Sequence, residues 1–147
     1  MNSNNKRNTK LHRFLIIAAI LGASAILLGA FSAHALEKMV ENNLLTIRQF
    51  NIFEKAVKYQ MYHAIIILVL ALFNFLQNKI IFQKSIYLIL SGIICFSGSL
   101  YWIALQSIIG ISFPHFLFWI TPLGGMLLVT GWIFIAYDIF QSDKVNR

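Results

Sequence analysis

Apolar residues run along this chain in four long blocks, roughly 14–36, 59–76, 86–109 and a last one between 116 and 140. Polar residues collect at the two ends and in the intervals between. Each block is close to the roughly 20 residues that carry an α-helix across a hydrocarbon core. The pattern predicts an all-α membrane protein, a four-transmembrane-helix bundle formed by one domain over residues 14–140. A tail over 1–13 precedes it and a short tail over 141–147 follows. The fourth block contains Pro122, so its helix either begins there with Thr121 as N-cap, or begins at Phe116 and kinks at the proline.

Small residues recur inside the blocks at helical spacing. Ala18, Gly22, Ala25, Gly29 and Ser32 form one stripe, Gly92, Cys95, Ser99, Trp102 and Gln106 a second, and Thr121, Gly124, Leu128, Gly131, Ile135 and Asp138 a third. Lipid offers helices no hydrophobic drive to associate, so close backbone approach and polar contacts must hold them together. Gly22, Gly29, Gly92, Ser99, Gly124 and Gly131 are the expected packing positions. Between the first two blocks, Phe50, Phe53, Val57 and Met61 mark one face of a helix, and Arg48, Asn51, Lys55 and Lys58 another. This predicts an amphipathic interfacial helix in the first extracytoplasmic loop.

The stretch LLGAFSAHALEK, Leu27 to Lys38, carries a second reading, because Ala33-His34-Ala35 resembles a signal-peptide cleavage site. A signal h-region spans about 7 to 15 residues, and the apolar run ahead of this site is longer. The stretch is therefore read as the end of a retained first helix, with His34 just inside the membrane.

Composition agrees with the pattern: 59% of the 147 residues are hydrophobic and 12% charged, and mean hydropathy is +0.73. A soluble domain of this size carries about twice that charge. The net charge of +7 reflects an asymmetry among lysines and arginines. Eight of them (Lys6, Arg7, Lys10, Arg13, Lys79, Lys84, Lys144 and Arg147) fall on one side of the membrane. Four (Lys38, Arg48, Lys55 and Lys58) fall on the other. The richer side is the cytoplasm by the positive-inside rule, so both termini are expected there. Basic residues interleaved with aromatics are missing, and no nucleic-acid partner is expected.

Candidate chemistry is sparse. His34, near the outer end of the first helix, and His63, near the outer start of the second, are expected at similar depth and able to face each other, with Tyr59, Gln106, Thr121 and the loop residue His115 at the same end. A neutral histidine there serves either as a hydrogen-bonding group between helices or as a metal, haem or quinone ligand. No HExxH or CxxC spacing supports a metal, so metal ligation by His34 and His63 stays open and no cofactor is expected. His12 and His115 are read as surface residues, Cys95 as a small apolar group, and Asp138 as solvated or paired with Lys84 or Lys144.

Four motifs, GAFSAHAL, AVKYQMYHA, FSGSLY and ITPLGG followed by GW, resemble in order and spacing those of the membrane family called domain of unknown function 423. That family includes UPF-type small inner-membrane proteins and transmembrane protein 256-like proteins. The resemblance covers nearly all of residues 15–137, with Ser32 standing where the motif leads one to expect glycine. It implies a four-helix integral membrane protein of a bacterial cytoplasmic (inner) membrane and marks His34, Tyr59, His63, Ser97, Gly98, Ser99, Tyr101, Thr121, Pro122, Gly124 and Gly125 as motif positions. It implies no activity, substrate or cofactor.

The expected role is a non-catalytic structural or accessory membrane component, partnered by the lipid bilayer and by further copies or a larger membrane complex. The alternative is a cofactor site at His34 and His63. A small transporter acting as an oligomer is a third reading, disfavoured by the uncharged membrane centre. No nucleophile with a base, carboxylate pair or phosphate loop suggests an enzyme.

Overall fold

The computed structural model describes the backbone of residues 3–111 and 119–145, with side chains over 8–111 and 119–142. Those residues form helices and short connections. Helix α1 spans Ser3–Phe31 and passes through a π-helical turn, Ser32–Leu36, into α2, Glu37–Glu41. Helices α3, α4 and α5 span Ile47–Leu76, Gln83–Ile109 and Ile120–Val145. Among the described residues, four helical segments are long and apolar enough to cross a membrane: Asn8–Glu41, Ile47–Leu76, Gln83–Ile109 and Ile120–Ser142.

The helix ends follow local chemistry. Asn43 and Gly110, both at positive φ, stop α2 and α4, since asparagine and glycine tolerate the left-handed region that a helix stop needs. Thr46 starts α3 through a reciprocal box, its Oγ1 accepting from the Gln49 N–H while Gln49 Oε1 accepts from the Thr46 N–H. Pro122 lies in the first turn of α5, where its missing N–H would have had no helical partner. The helix thus starts at Ile120 rather than at the proline. Phe116 and His115 lie outside the described residues.

Two elements extend beyond their expected bounds. The tail expected over 1–13 is helical from Ser3 and packs Leu11 into the protein, because lysine and arginine are good helix formers and nothing there interrupts the backbone. Residues 47–58, the expected amphipathic helix, run unbroken into the second span. They are the first turns of α3, which at 30 residues is about 45 Å long. Phe53 and Ala56 on their apolar face are buried, Phe53 in a cluster with Leu36, Leu45 and Ala104.

Consecutive spanning helices pack in the order α1 on α3, α3 on α4 and α4 on α5. Helices α3 and α4 form the centre. Side chains from all four spans meet around Phe14, Ile67, Ile86, Ile89 and Leu128. The buried positions Leu11, Phe14, Ala18 and Ala25 of α1, with Ser32 just beyond it, are three, four, seven and seven residues apart and form a single stripe. The remaining faces of α1 and α5, with Ile16, Ile20, Leu27, Met126 and Ile133, point outward and are apolar. Such a surface suits hydrocarbon and not water.

Candidate functional site

The densest polar contacts inside the bundle centre on Gln60. From α3 its Nε2 donates to Leu21 O at 3.0 Å and to Ser24 Oγ at 2.8 Å on α1. Its Oε1 accepts from the Tyr101 hydroxyl of α4 at 3.0 Å. One buried amide thereby joins three helices with every bond directed. Phe53 packs against the Tyr101 ring at 4.9 Å and walls the amide toward the α2 side.

His63 follows one turn later and is 7% exposed. Its Nδ1 lies 2.8 Å from Tyr59 O, and its Nε2 lies 3.4 Å from the indole Nε1 of Trp132 on α5. A carbonyl only accepts and an indole N–H only donates, so the hydrogen-bond partners assign a neutral ring with its proton on Nδ1. Both nitrogens are then engaged within the protein. The Tyr59 ring stacks beside this imidazole at an interplanar angle of 17° and contacts Phe96 at 4.8 Å.

Further along α5, Thr121 Oγ1 lies 2.7 Å from Ser99 Oγ, and Ser99 also donates to Phe96 O. The glycines beside this pair hold α4 and α5 close. A Cβ built on Gly124 would meet the backbone N of Phe96 and lie 2.8 Å from its Cα, one on Gly92 would sit 2.8 Å from Leu128 Cγ, and one on Gly131 2.7 Å from Ile89 Cγ1. Gly29 has ordinary contact with Val57 at 3.5 Å, and Gly22 faces open space. The tight seam is therefore α4–α5, whereas α1 meets α3 through its hydrogen bonds and through larger side chains.

His34 and His63 are not brought together. Gln60 lies level with Leu21 and Ser24; His34 is ten residues beyond Ser24 toward the α2 end, and His63 is three residues beyond Gln60 the other way. At 1.5 Å per residue the two rings are about 20 Å apart along the bundle. His34 is exposed on the π-helical turn, between the buried Ser32 and Leu36. The expectation of similar depth fails because α3 starts at Ile47, twelve residues before Tyr59, which moves His63 inward. Gln106 is half-buried near the end of α4, where its carbonyl accepts the Gly110 N–H. Thr121 joins Ser99 and neither histidine. Among the described residues no three His, Cys, Asp or Glu side chains cluster to hold a metal.

A family model described as "Protein of unknown function (DUF423)" matches residues 28–125. The chain belongs to this DUF423 family. Its relatives are bacterial membrane proteins. A UPF0382 membrane protein of Haemophilus influenzae is 36% identical, over 91% of this chain and 98% of its own length. One of Staphylococcus epidermidis is 37% identical, over 84% and 91%. The UPF0382 membrane protein YwdK of Bacillus subtilis is 36% identical, over 84% and 92%. No solved structure matches the chain.

The matched stretch of this DUF423 protein takes in Gln60, His63, Ser99, Tyr101 and Thr121, and stops before Trp132 and Asp138. The sequence pattern points to His63, Tyr59 and Thr121 and gives Gln60 no place among the candidate residues. Its position inside an apolar run, in register with the small-residue stripe of α1, was the available signal. Trp132 carried none, since tryptophan is at home anywhere on a spanning helix.

Proposed function

We propose that the protein is a non-catalytic structural or accessory component of a bacterial inner membrane, with both termini cytoplasmic. The observation that carries this reading is the use made of the buried polar side chains. Gln60 is spent on joining α1, α3 and α4, and His63 uses both ring nitrogens on Tyr59 and Trp132. Groups committed to each other in this way fix the relative rotation of helices. A ligand set shared by His34 and His63 finds no support in their separation. The outward apolar faces of α1 and α5 are free to pack against lipid, a further copy or a larger complex.

The test is metal and chromophore analysis of the full chain purified in mild detergent, beside His63→Ala. The expected result is no stoichiometric metal, haem or quinone in either, with the variant less stable. A near-stoichiometric cofactor in the parent, lost from a variant that stays folded, would overturn the reading.

A further inference from the structure

At the end of the bundle that carries both termini, an open cleft of about 370 Å³ lies between the end of α3, the α3–α4 connection and the end of α5. Phe73 and Ile81 give it apolar walls, and Lys79 and Asp138 bring opposite charges to it. Asp138 is partly buried, and its Oδ2 accepts from the Ser85 hydroxyl at 2.7 Å. That bond leaves the negative charge in place. Among the described residues the only ion pair is Lys58 with Glu54, at the other end of the molecule, so no cation of these neutralises Asp138.

The depth is informative. Asp138 stands two residues before Phe140, the last apolar residue ahead of Gln141, Ser142 and Asp143, which places it about 3 Å inside the end of the apolar run. Lys79 follows the last turn of α3. Lys79 and Asp138 thus lie on either side of the boundary between hydrocarbon and headgroups. A partly buried carboxylate at that level is costly without a cation close by.

The geometry points to a binding site for a zwitterionic phospholipid with a primary ammonium, the phosphatidylethanolamine class. The ammonium donates hydrogen bonds to Asp138, Lys79 meets the phosphate, and the acyl chains run along Phe73 and Ile81. A trimethylated choline headgroup has no N–H to give Asp138, and phosphatidylglycerol has no cation. Charge complementarity thus selects one headgroup. This inference is independent of the proposed structural role.

Native mass spectrometry of the full chain in detergent, titrated with phosphatidylethanolamine, phosphatidylcholine, phosphatidylglycerol or soluble phosphoethanolamine, tests it. The expected preference for phosphatidylethanolamine over phosphatidylcholine is about tenfold, the scale of one charge-assisted hydrogen bond. Asp138→Asn keeps an acceptor for Ser85 and removes the charge, and the preference should vanish. Lys79→Gln, on the exposed connection, should weaken phosphatidylethanolamine and phosphatidylglycerol alike while the fold is kept. Equal binding of the ethanolamine and choline lipids would overturn the site, as would tightest binding of phosphatidylglycerol or an unchanged affinity in Lys79→Gln. Soluble phosphoethanolamine binding as tightly as the lipid would overturn a lipid occupant.

Discussion

Gln60 shows how one side chain can set the angle between helices in a medium that offers no hydrophobic push. Its amide makes two donor bonds to α1 and accepts one from α4, and it is nearly inaccessible. Removing it leaves the Tyr101 hydroxyl facing a gap and frees the Leu21 carbonyl from one of its partners. Single interhelical hydrogen bonds in membranes contribute about 0.6 kcal/mol, and up to about 1.7. Gln60→Ala is therefore expected to destabilise the protein by about 1–2 kcal/mol, read from unfolding in detergent micelles. In a double-mutant cycle with Tyr101→Phe the two losses should couple by about 0.5 kcal/mol or more. Strict additivity would show that the Tyr101 bond does not hold α3 to α4. Not every buried polar group is so well provided for, since Ser32 Oγ, Ser97 Oγ and Asn74 Nδ2 have no hydrogen-bond partner among the described residues. Asn74 spends its Oδ1 on the N–H groups of Ile81 and Phe82 where α4 begins.

Helices α4 and α5 approach so closely that glycine is required at particular points and not along a whole stripe. Phe96 presents backbone to Gly124, and backbone cannot rotate away as a side chain can. Gly124→Ala forces the two helices apart, and overpacking of this kind costs about 1–3 kcal/mol. Gly98 has nothing within 4 Å, so Gly98→Ala is expected to be neutral or stabilising by up to about 1 kcal/mol, from reduced unfolded-chain entropy and better helix propensity. Thermal melting of both variants in the same detergent gives opposite signs if the seam is where the structure places it. This contrast marks the limit of reading the chain by pattern. Spacing makes the four apolar spans legible, because hydropathy and helical period are local properties, yet the stripe it draws on α4 takes in the exposed Trp102. It could not separate Gly22, which faces open space, from Gly124, because that depends on which helix lies opposite. The same limit applied to the histidines. Their positions along the sequence suggested one level, but the capping box at Thr46 begins α3 twelve residues before the expected start of the span, and the depth of His63 follows from that start.

For the molecule as a whole, the unsettled quantity is its direction in the membrane, and the distribution of charge makes a quantitative expectation possible. Four spans place both termini on one side, together with Lys79 of the α3–α4 connection and Lys84 in the first turn of α4. That side carries eight lysines and arginines against four around α2 and the start of α3. Each retained positive charge opposes translocation, so the richer side is expected to stay in the cytoplasm. A fluorescent protein fused after Arg147 should fluoresce in a bacterial host, and alkaline phosphatase inserted in the 42–46 connection should be active; the reverse pattern would invert the assignment. Replacing Lys6, Arg7, Lys10 and Arg13 by glutamine leaves four basic residues on each side. With the bias removed, the two fusions are expected to report a mixture of orientations. A chain that still inserts uniformly would mean that the hydrophobic order of the helices sets the direction and that the charge asymmetry does not.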